Sequence, residues 1–230
     1  SASSKYMISP PAIPWHVNRS FDQLVTMDIP DKAKAGSWIV GNAKELPGHL
    51  KRLSFLKFLQ KSMFRDIDLY GRAVHYIEDK WDGLAPYRYS LAIENSNSPD
   101  YWTEKVADCY LTWTVPLYYG CSNLEKYFPR DSFIRIDIDS PEVGLAQLKK
   151  IFEADVWKKR IPALTEARRL VLHEYQLFPH ISKLVKYHAV KKEEKEMIIL
   201  PPYRRSKRTK LLRASYKIKR IFTKLHYRFK

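Results

Sequence analysis

The stretch YRYSLAIENSNSPDYWTEKVADCYLTWTVPLYYG, residues 87–120, decides the fold. It opens with the pattern of a buried strand, Tyr89–Ile93. Glu94–Tyr101 follows as a polar loop, with Asn, Ser, Pro and Asp in turn-forming roles. Thr103-Glu104-Lys105 has the form of a helix start, with Thr103 as the N-cap. That helix is predicted to run to about Trp113, and Thr114–Tyr119 is a second apolar strand. The three pieces make one βαβ unit, with parallel strands and a right-handed crossover. Ligands in such sheets bind beyond the carboxyl ends of the strands. Glu94, Asn95, Tyr101, Glu104 and Lys105 all fall at that end.

The alternation continues outward on both sides. Ser37–Val40 reads as a short apolar strand, with Gly41-Asn42-Ala43-Lys44 as the loop at its carboxyl end. Pro47–Ser62 places Leu50, Leu53, Phe55, Leu56 and Leu59 near one helical face. Asp66–Tyr70 alternates as a strand closed by Gly71-Arg72, and Val74–Pro86 is a polar connection. After the central unit, Asn123–Phe128 is a short helix and Ser132–Asp137 a further strand. Pro141 stands at the favoured first position of a helix. Asp155–Val185 reads as helical, with Pro162 and Pro179 as kinks or breaks. Strand and helix alternate through residues 37–152. This predicts a doubly wound, Rossmann-like α/β fold, a parallel sheet with helices on both faces. Ser1–Lys34, with Pro10, Pro11 and Pro14, reads as an extended lead-in with one short helix around Phe21–Val25. The chain thus divides into a lead-in (1–36), an α/β domain with C-terminal helices (37–200) and a tail (201–230).

Charge separates the tail from the rest. The net charge of +16 is uneven: residues 201–230 hold 12 of the 41 Lys and Arg and no acid, so residues 1–200 carry 29 bases against 25 acids. A nucleic-acid-binding domain is expected to be basic over its own surface, and nucleic acid is not expected as a partner. In the tail, Leu211, Ile218, Phe222, Leu225 and Phe229 fall on one helical face, with bases over the remainder. Residues 204–230 therefore read as a helix lying on an anionic membrane, against the competing readings of a nucleic-acid or partner-helix contact. No apolar run approaches the roughly 18 residues of a membrane span, and no signal peptide is visible. Cys109 and Cys121 make no disulfide framework and suit a reducing compartment. The expected location is the cytoplasm, peripheral to the inner membrane if the source is bacterial, rather than the Golgi.

Several chemistries lack their residues. The seven histidines show no metal-ligand spacing, and there is no Gly-rich phosphate loop or nucleophile elbow. Asp137-Ile138-Asp139 has the Asp-x-Asp form that holds a metal in many glycosyltransferases. It ends a strand, where acidic loop residues are ordinary, and no metal site is assigned. Lys105 is suited to bind phosphate, because a helix N-terminus also attracts anions. Glu104 can accept hydrogen bonds from sugar hydroxyls. Ordinary charge decoration of a helix end is the alternative for both. Arg52, on the predicted helix Pro47–Ser62, has a guanidinium suited to binding phosphate bidentately, and a solvated helix face beside Lys51 is its alternative.

ENSNSPDYWTEK, then a helix, then TVPLYYG, then FPRDSFIRIDI, in that order, resembles the donor-binding domain of the family-ten α-1,3/4-fucosyltransferases. The resemblance covers Ser37–Asp139. It implies a GT-B architecture of which this chain carries the donor-binding half. It also implies GDP-fucose as donor and a glycan hydroxyl as acceptor, with inversion at the fucose anomeric carbon. No cofactor is implied as required, a divalent metal acting at most as a stimulant from solution. Arg52 matches the family's donor-phosphate arginine through the pattern Arg-x-x-Phe-x-x-x-Leu. The resemblance implies catalytic roles for Arg52 and Glu104, and donor binding by Arg52, Glu94, Asn95, Tyr101, Glu104 and Lys105. The family's acceptor domain, which supplies the general base, precedes a linker similar to residues 1–34. It is not in this sequence: either the sequence is a fragment of a longer chain, or a separate acceptor domain on another chain is a partner. A GDP-sugar-binding or membrane-associated module without transferase activity is the alternative.

Overall fold

The computed structural model describes residues 15–62, 64–72 and 74–189. The predicted tail helix lies outside the described residues. Five strands form one parallel sheet in the order β2-β1-β3-β4-β5. They are β1 (Lys34–Ile39), β2 (Ile67–Tyr70), β3 (Tyr87–Ile93), β4 (Val115–Tyr119) and β5 (Ile134–Arg135). β3 and β4 are interior strands and are buried almost throughout, only Arg88 of β3 being partly exposed, because both their faces are covered. Pro116 is tolerated inside β4 because β5 pairs only from Leu117 onward, so the missing N–H gives up no ladder bond on that side.

Helices cover both faces. α2 (Pro47–Lys61) and α4 (Pro141–Ala154) pack on one, where Trp38 meets Phe55 and Tyr89 meets Phe152. The neighbouring Ser90 points the other way, toward Cys109 of α3 (Glu104–Leu111). α5 (Trp157–His173) lies on α3, and the Trp157 indole donates to the Trp113 carbonyl at 2.9 Å. The chain steps from β1 to β2 toward one edge, and from β3 through β4 to β5 toward the other. Strand order therefore reverses between β1 and β3, and the crevice beyond their carboxyl ends is where a ligand fits.

The local departures from the expected boundaries have physical causes. α3 stops at Leu111 rather than Trp113, because Trp113 takes a left-handed backbone (φ 52°). The strand expected over Ser132–Asp137 shortens to Ile134–Arg135, since Arg130–Ser132 winds into a 3-10 turn. Pro162 lies inside α5 without ending it. The break falls after His173, and Pro179 sits in the first turn of α6 (Leu177–Ala189), where its missing N–H has no helical acceptor to lose.

Residues 15–33 pack onto the domain. α1 (Phe21–Thr26) starts with a reciprocal cap between Ser20 and Gln23 and buries Leu24 completely. The His16 amide donates to Asp108 at 2.8 Å, and the Lys32 ammonium donates to the Thr112 carbonyl and the Thr114 hydroxyl.

Candidate functional site

A cavity of about 550 Å³ opens at the β1/β3 switch point. Its walls include Gly41–Ala43 after β1, Gly71 and Arg72 after β2, and Glu104, Lys105 and Asp108 on α3. The volume falls within the range of small-molecule sites.

Arg52 lies at this cavity although it is only 5% exposed. Pro47 starts α2 just beyond the carboxyl ends of the strands, and its buried stripe runs His49, Arg52, Phe55, Leu56, Leu59. The guanidinium thus occupies a position that the helix period would give to an apolar side chain. Its Nη1 donates to the Asn95 carboxamide oxygen at 2.6 Å. Its Nε is buried without a hydrogen-bond partner. No carboxylate stands within ion-pair distance of it among the described residues. Burial lowers the Arg52 pKa, and the charges of Glu94 and Glu104 oppose the shift. A guanidinium carries five N–H donors, so most of this group's capacity is unused.

Glu94 directly follows β3 and has a fully buried side chain. It accepts the Thr103 amide at 2.8 Å and the Thr103 hydroxyl at 2.7 Å, which fixes the first turn of α3. Thr103 caps α3 as expected, its Oγ1 accepting from the Lys105 amide at 3.4 Å. The Lys105 ammonium lies 3.3 Å from both Glu94 and Glu104. Burial raises the Glu94 pKa and Lys105 opposes it. Burial works to lower the Lys105 pKa, but Glu94 and Glu104 outweigh it and the net shift is upward. Lys105 is therefore charged and internally neutralised while still reaching the cavity.

Glu104 lines the same cavity. Burial works to raise its pKa, but Lys105 and Lys80 outweigh it and the carboxyl is held below its usual range. The Lys80 ammonium lies 3.8 Å from Glu104 and 2.9 Å from the buried Asp108. His16, Lys80 and Asp108 are cavity residues that the sequence did not single out. Asp108 stands one helical turn after Glu104, and that spacing was the available signal.

The remaining expected residues lie elsewhere. Asn95 and Glu94 border a smaller recess of about 180 Å³, together with Lys51 and Tyr119. Tyr101 borders neither recess; burial, with a smaller contribution from the Glu94 charge, raises its pKa. The cavity thus gathers Arg52, Glu104 and Lys105. Glu94 and Asn95 support them from behind.

The family model described as glycosyltransferase family 10 (fucosyltransferase) C-term matches residues 29–156, more than half of the chain. The chain belongs to glycosyltransferase family 10. It is 35% identical over 130 residues to the 4-galactosyl-N-acetylglucosaminide 3-alpha-L-fucosyltransferase 9 of Mus musculus, covering 54% of this chain and 35% of that protein. It is 30% identical over 134 residues to the corresponding fucosyltransferase FUT6 of Pongo pygmaeus, covering 56% of this chain and 36% of that protein. Among solved structures it resembles an alpha1,3-fucosyltransferase with GDP-fucose, at 18% identity and a TM-score of 0.44, over 64% of this chain and 43% of that one. The chain spans about a third of the length of the curated relatives it matches.

In this family-10 chain the Asp-x-Asp pair is used internally. Asp137 accepts the amides of Asp139 and Ser140 at 2.7 and 3.1 Å. Asp139 pairs with the Lys51 ammonium and accepts the Tyr119 hydroxyl at 3.0 Å. Among the described residues no group of three or more His, Cys, Asp and Glu could hold a metal ion.

Proposed function

We propose that this chain is the donor-binding half of a fucosyltransferase. It binds GDP-fucose, and fucose passes to a glycan hydroxyl with inversion as GDP departs. One observation carries the reading: in a family-10 chain, a buried, under-bonded arginine lies at a cavity at the switch point of a doubly wound sheet. A buried guanidinium with no carboxylate partner is costly, and an anionic ligand offsets that cost. Arg52 and Lys105 neutralise the diphosphate as negative charge develops on it. Glu104, held ionised by Lys105 and Lys80, accepts hydrogen bonds from donor hydroxyls and favours positive charge at the anomeric carbon. The reaction also needs a base for the acceptor hydroxyl. An acceptor domain supplies it, and the cavity residues themselves need no protein-held metal.

The basic segment 204–230 holds the enzyme against the anionic inner face of a membrane. A chain lacking it should keep GDP affinity and lose sedimentation with anionic liposomes. Tighter binding of the tail to RNA or DNA than to such liposomes would replace the membrane reading.

Calorimetry tests the donor reading. GDP and GDP-fucose should bind, with ADP and UDP at least tenfold weaker. Equal affinity for all four would show that the cavity does not select the donor. The chain by itself should show little or no fucosyl transfer, since loss of a general base alone removes a factor of roughly 10² to 10⁴.

A further inference from the structure

Among the described residues Arg52 is held by one side chain, and that side chain is neutral. Asn95 is the first residue after Glu94 at the end of β3. Its carboxamide oxygen accepts Nη1 of Arg52 at 2.6 Å, from the wall of the smaller recess behind the cavity. The loop reaches Arg52 because its backbone lies directly on the start of α2. A Cβ built on Gly48 would fall 1.8 Å from the Asn95 carbonyl oxygen and 2.6 Å from its carbonyl carbon. Both contacts are to backbone, so no rotamer change relieves them. Gly48 thus admits the Asn95 backbone to the first turn of the helix that carries Arg52 four residues later.

The choice of an amide at residue 95 has an electrostatic consequence. A carboxylate there would accept the same hydrogen bond and form an ion pair with Arg52. The ion pair would consume the charge that an incoming anion needs. The other nearby groups are Glu94, whose charge is taken up by Lys105 and Thr103, and Glu104, taken up by Lys105 and Lys80. We infer that Asn95, admitted by Gly48, is a positioning residue that aims the Arg52 guanidinium at the donor diphosphate while leaving its positive charge unspent. This rests on the donor-binding reading above and assigns how that site keeps its cation available.

Two variants separate this role from a structural one. Asn95→Asp keeps the acceptor atom and strengthens the bond to Arg52. A purely structural asparagine therefore predicts unchanged ligand affinity. The inference predicts that GDP and inorganic pyrophosphate both bind at least about tenfold more weakly, since one charge-assisted contact is diverted. The thermal midpoint should be unchanged or raised. Gly48→Ala displaces Asn95 without touching its chemistry and should weaken both ligands in the same proportion. Calorimetry with GDP and with pyrophosphate on the full chain and both variants decides the matter. Wild-type affinity for both ligands in Asn95→Asp would overturn the inference and leave the donor reading standing. If the wild-type chain bound pyrophosphate but not GDP, the donor reading would fail, and the variants against pyrophosphate would still decide the role of Asn95. If it bound neither, both would fall.

Discussion

Two buried arginines divide the molecule. Arg168, on α5, is 7% exposed, and Arg52, on α2, is 5% exposed. Arg168 donates to the carbonyls of Leu24 and Leu111 and stacks 3.8 Å from the centre of the Trp113 ring. It thereby ties α1 and the end of α3 to α5. Arg52 makes one side-chain hydrogen bond and leaves its Nε unpartnered. Burial lowers the pKa of both. The difference lies in how far the donors are satisfied. A buried cation bonded to carbonyls and stacked on a ring stabilises the fold. One left under-bonded at a cavity costs stability and is available to an anion.

The largest expected effect comes from breaking the satisfied side. Arg168→Leu leaves the Leu24 and Leu111 carbonyls without their donor and removes the stacking. It should destabilise the chain by about 4 kcal/mol in chemical denaturation, the sum of two buried carbonyls left unsatisfied. GDP affinity of the folded fraction should be unchanged. A variant that kept its stability but lost GDP would reverse the assignment of the two arginines.

Lys32 extends the satisfied class and adds a pH signature. Burial depresses its pKa to about 7. Between that value and the ordinary lysine range, the unfolded chain binds more protons than the folded one. This group's contribution to stability therefore increases as pH rises and is lost as pH falls through about 7. The increase should be roughly 3 kcal/mol from about pH 7 to about pH 9.5. Lys32→Met should flatten the profile over that window. Equal slopes in the two proteins would show that the ammonium is not desolvated as described.

Lys105 is the intermediate case, paired internally with Glu94 and Glu104 yet lining the cavity. Lys105→Met should lower GDP affinity by about tenfold to a hundredfold, the loss of one charge-assisted contact. It should also cost about 1 to 2 kcal/mol of stability, because Glu94 remains buried without its cation. If only stability fell, Lys105 would belong with Arg168. The smallest effect is expected at Asp139, whose pair with Lys51 is half-exposed. Asp139→Ala should change GDP affinity less than twofold and stability by under about 1 kcal/mol. Abolished binding, with metal dependence in the wild type, would restore the Asp-x-Asp pair as a metal site.

Much of this fold was legible because β3-loop-α3-β4 combines three independent signals: two apolar runs, a turn-rich loop and a Thr cap. The short β5 was over-read, because SFIRID carries a strand pattern while Asp137 turns the chain to cap the next loop. In the site, Arg52 was marked only by the family pattern Arg-x-x-Phe-x-x-x-Leu; its own surroundings in the sequence, beside Lys51, also fit a solvated helix face, and only the structure places it on the buried stripe of α2. Glu94 was expected at the donor end of the sheet, orienting the loop or the fucose, and its side chain is buried beneath Thr103 and Lys105, where it holds the start of α3. A polar residue at the end of a buried strand can face the ligand or the next helix, and linear sequence does not distinguish the two. Lys80 and His16 were illegible for another reason: they reach the cavity from segments without periodicity, held there by Asp108.

The central claim is that Arg52 is kept under-bonded for an anionic ligand. The most direct test pairs GDP calorimetry with thermal unfolding of the wild-type chain and Arg52→Ala. The account predicts that GDP affinity falls by about tenfold to a hundredfold. The midpoint should stay the same or rise, because a costly buried charge has been removed. Undiminished GDP binding in a destabilised Arg52→Ala would contradict it.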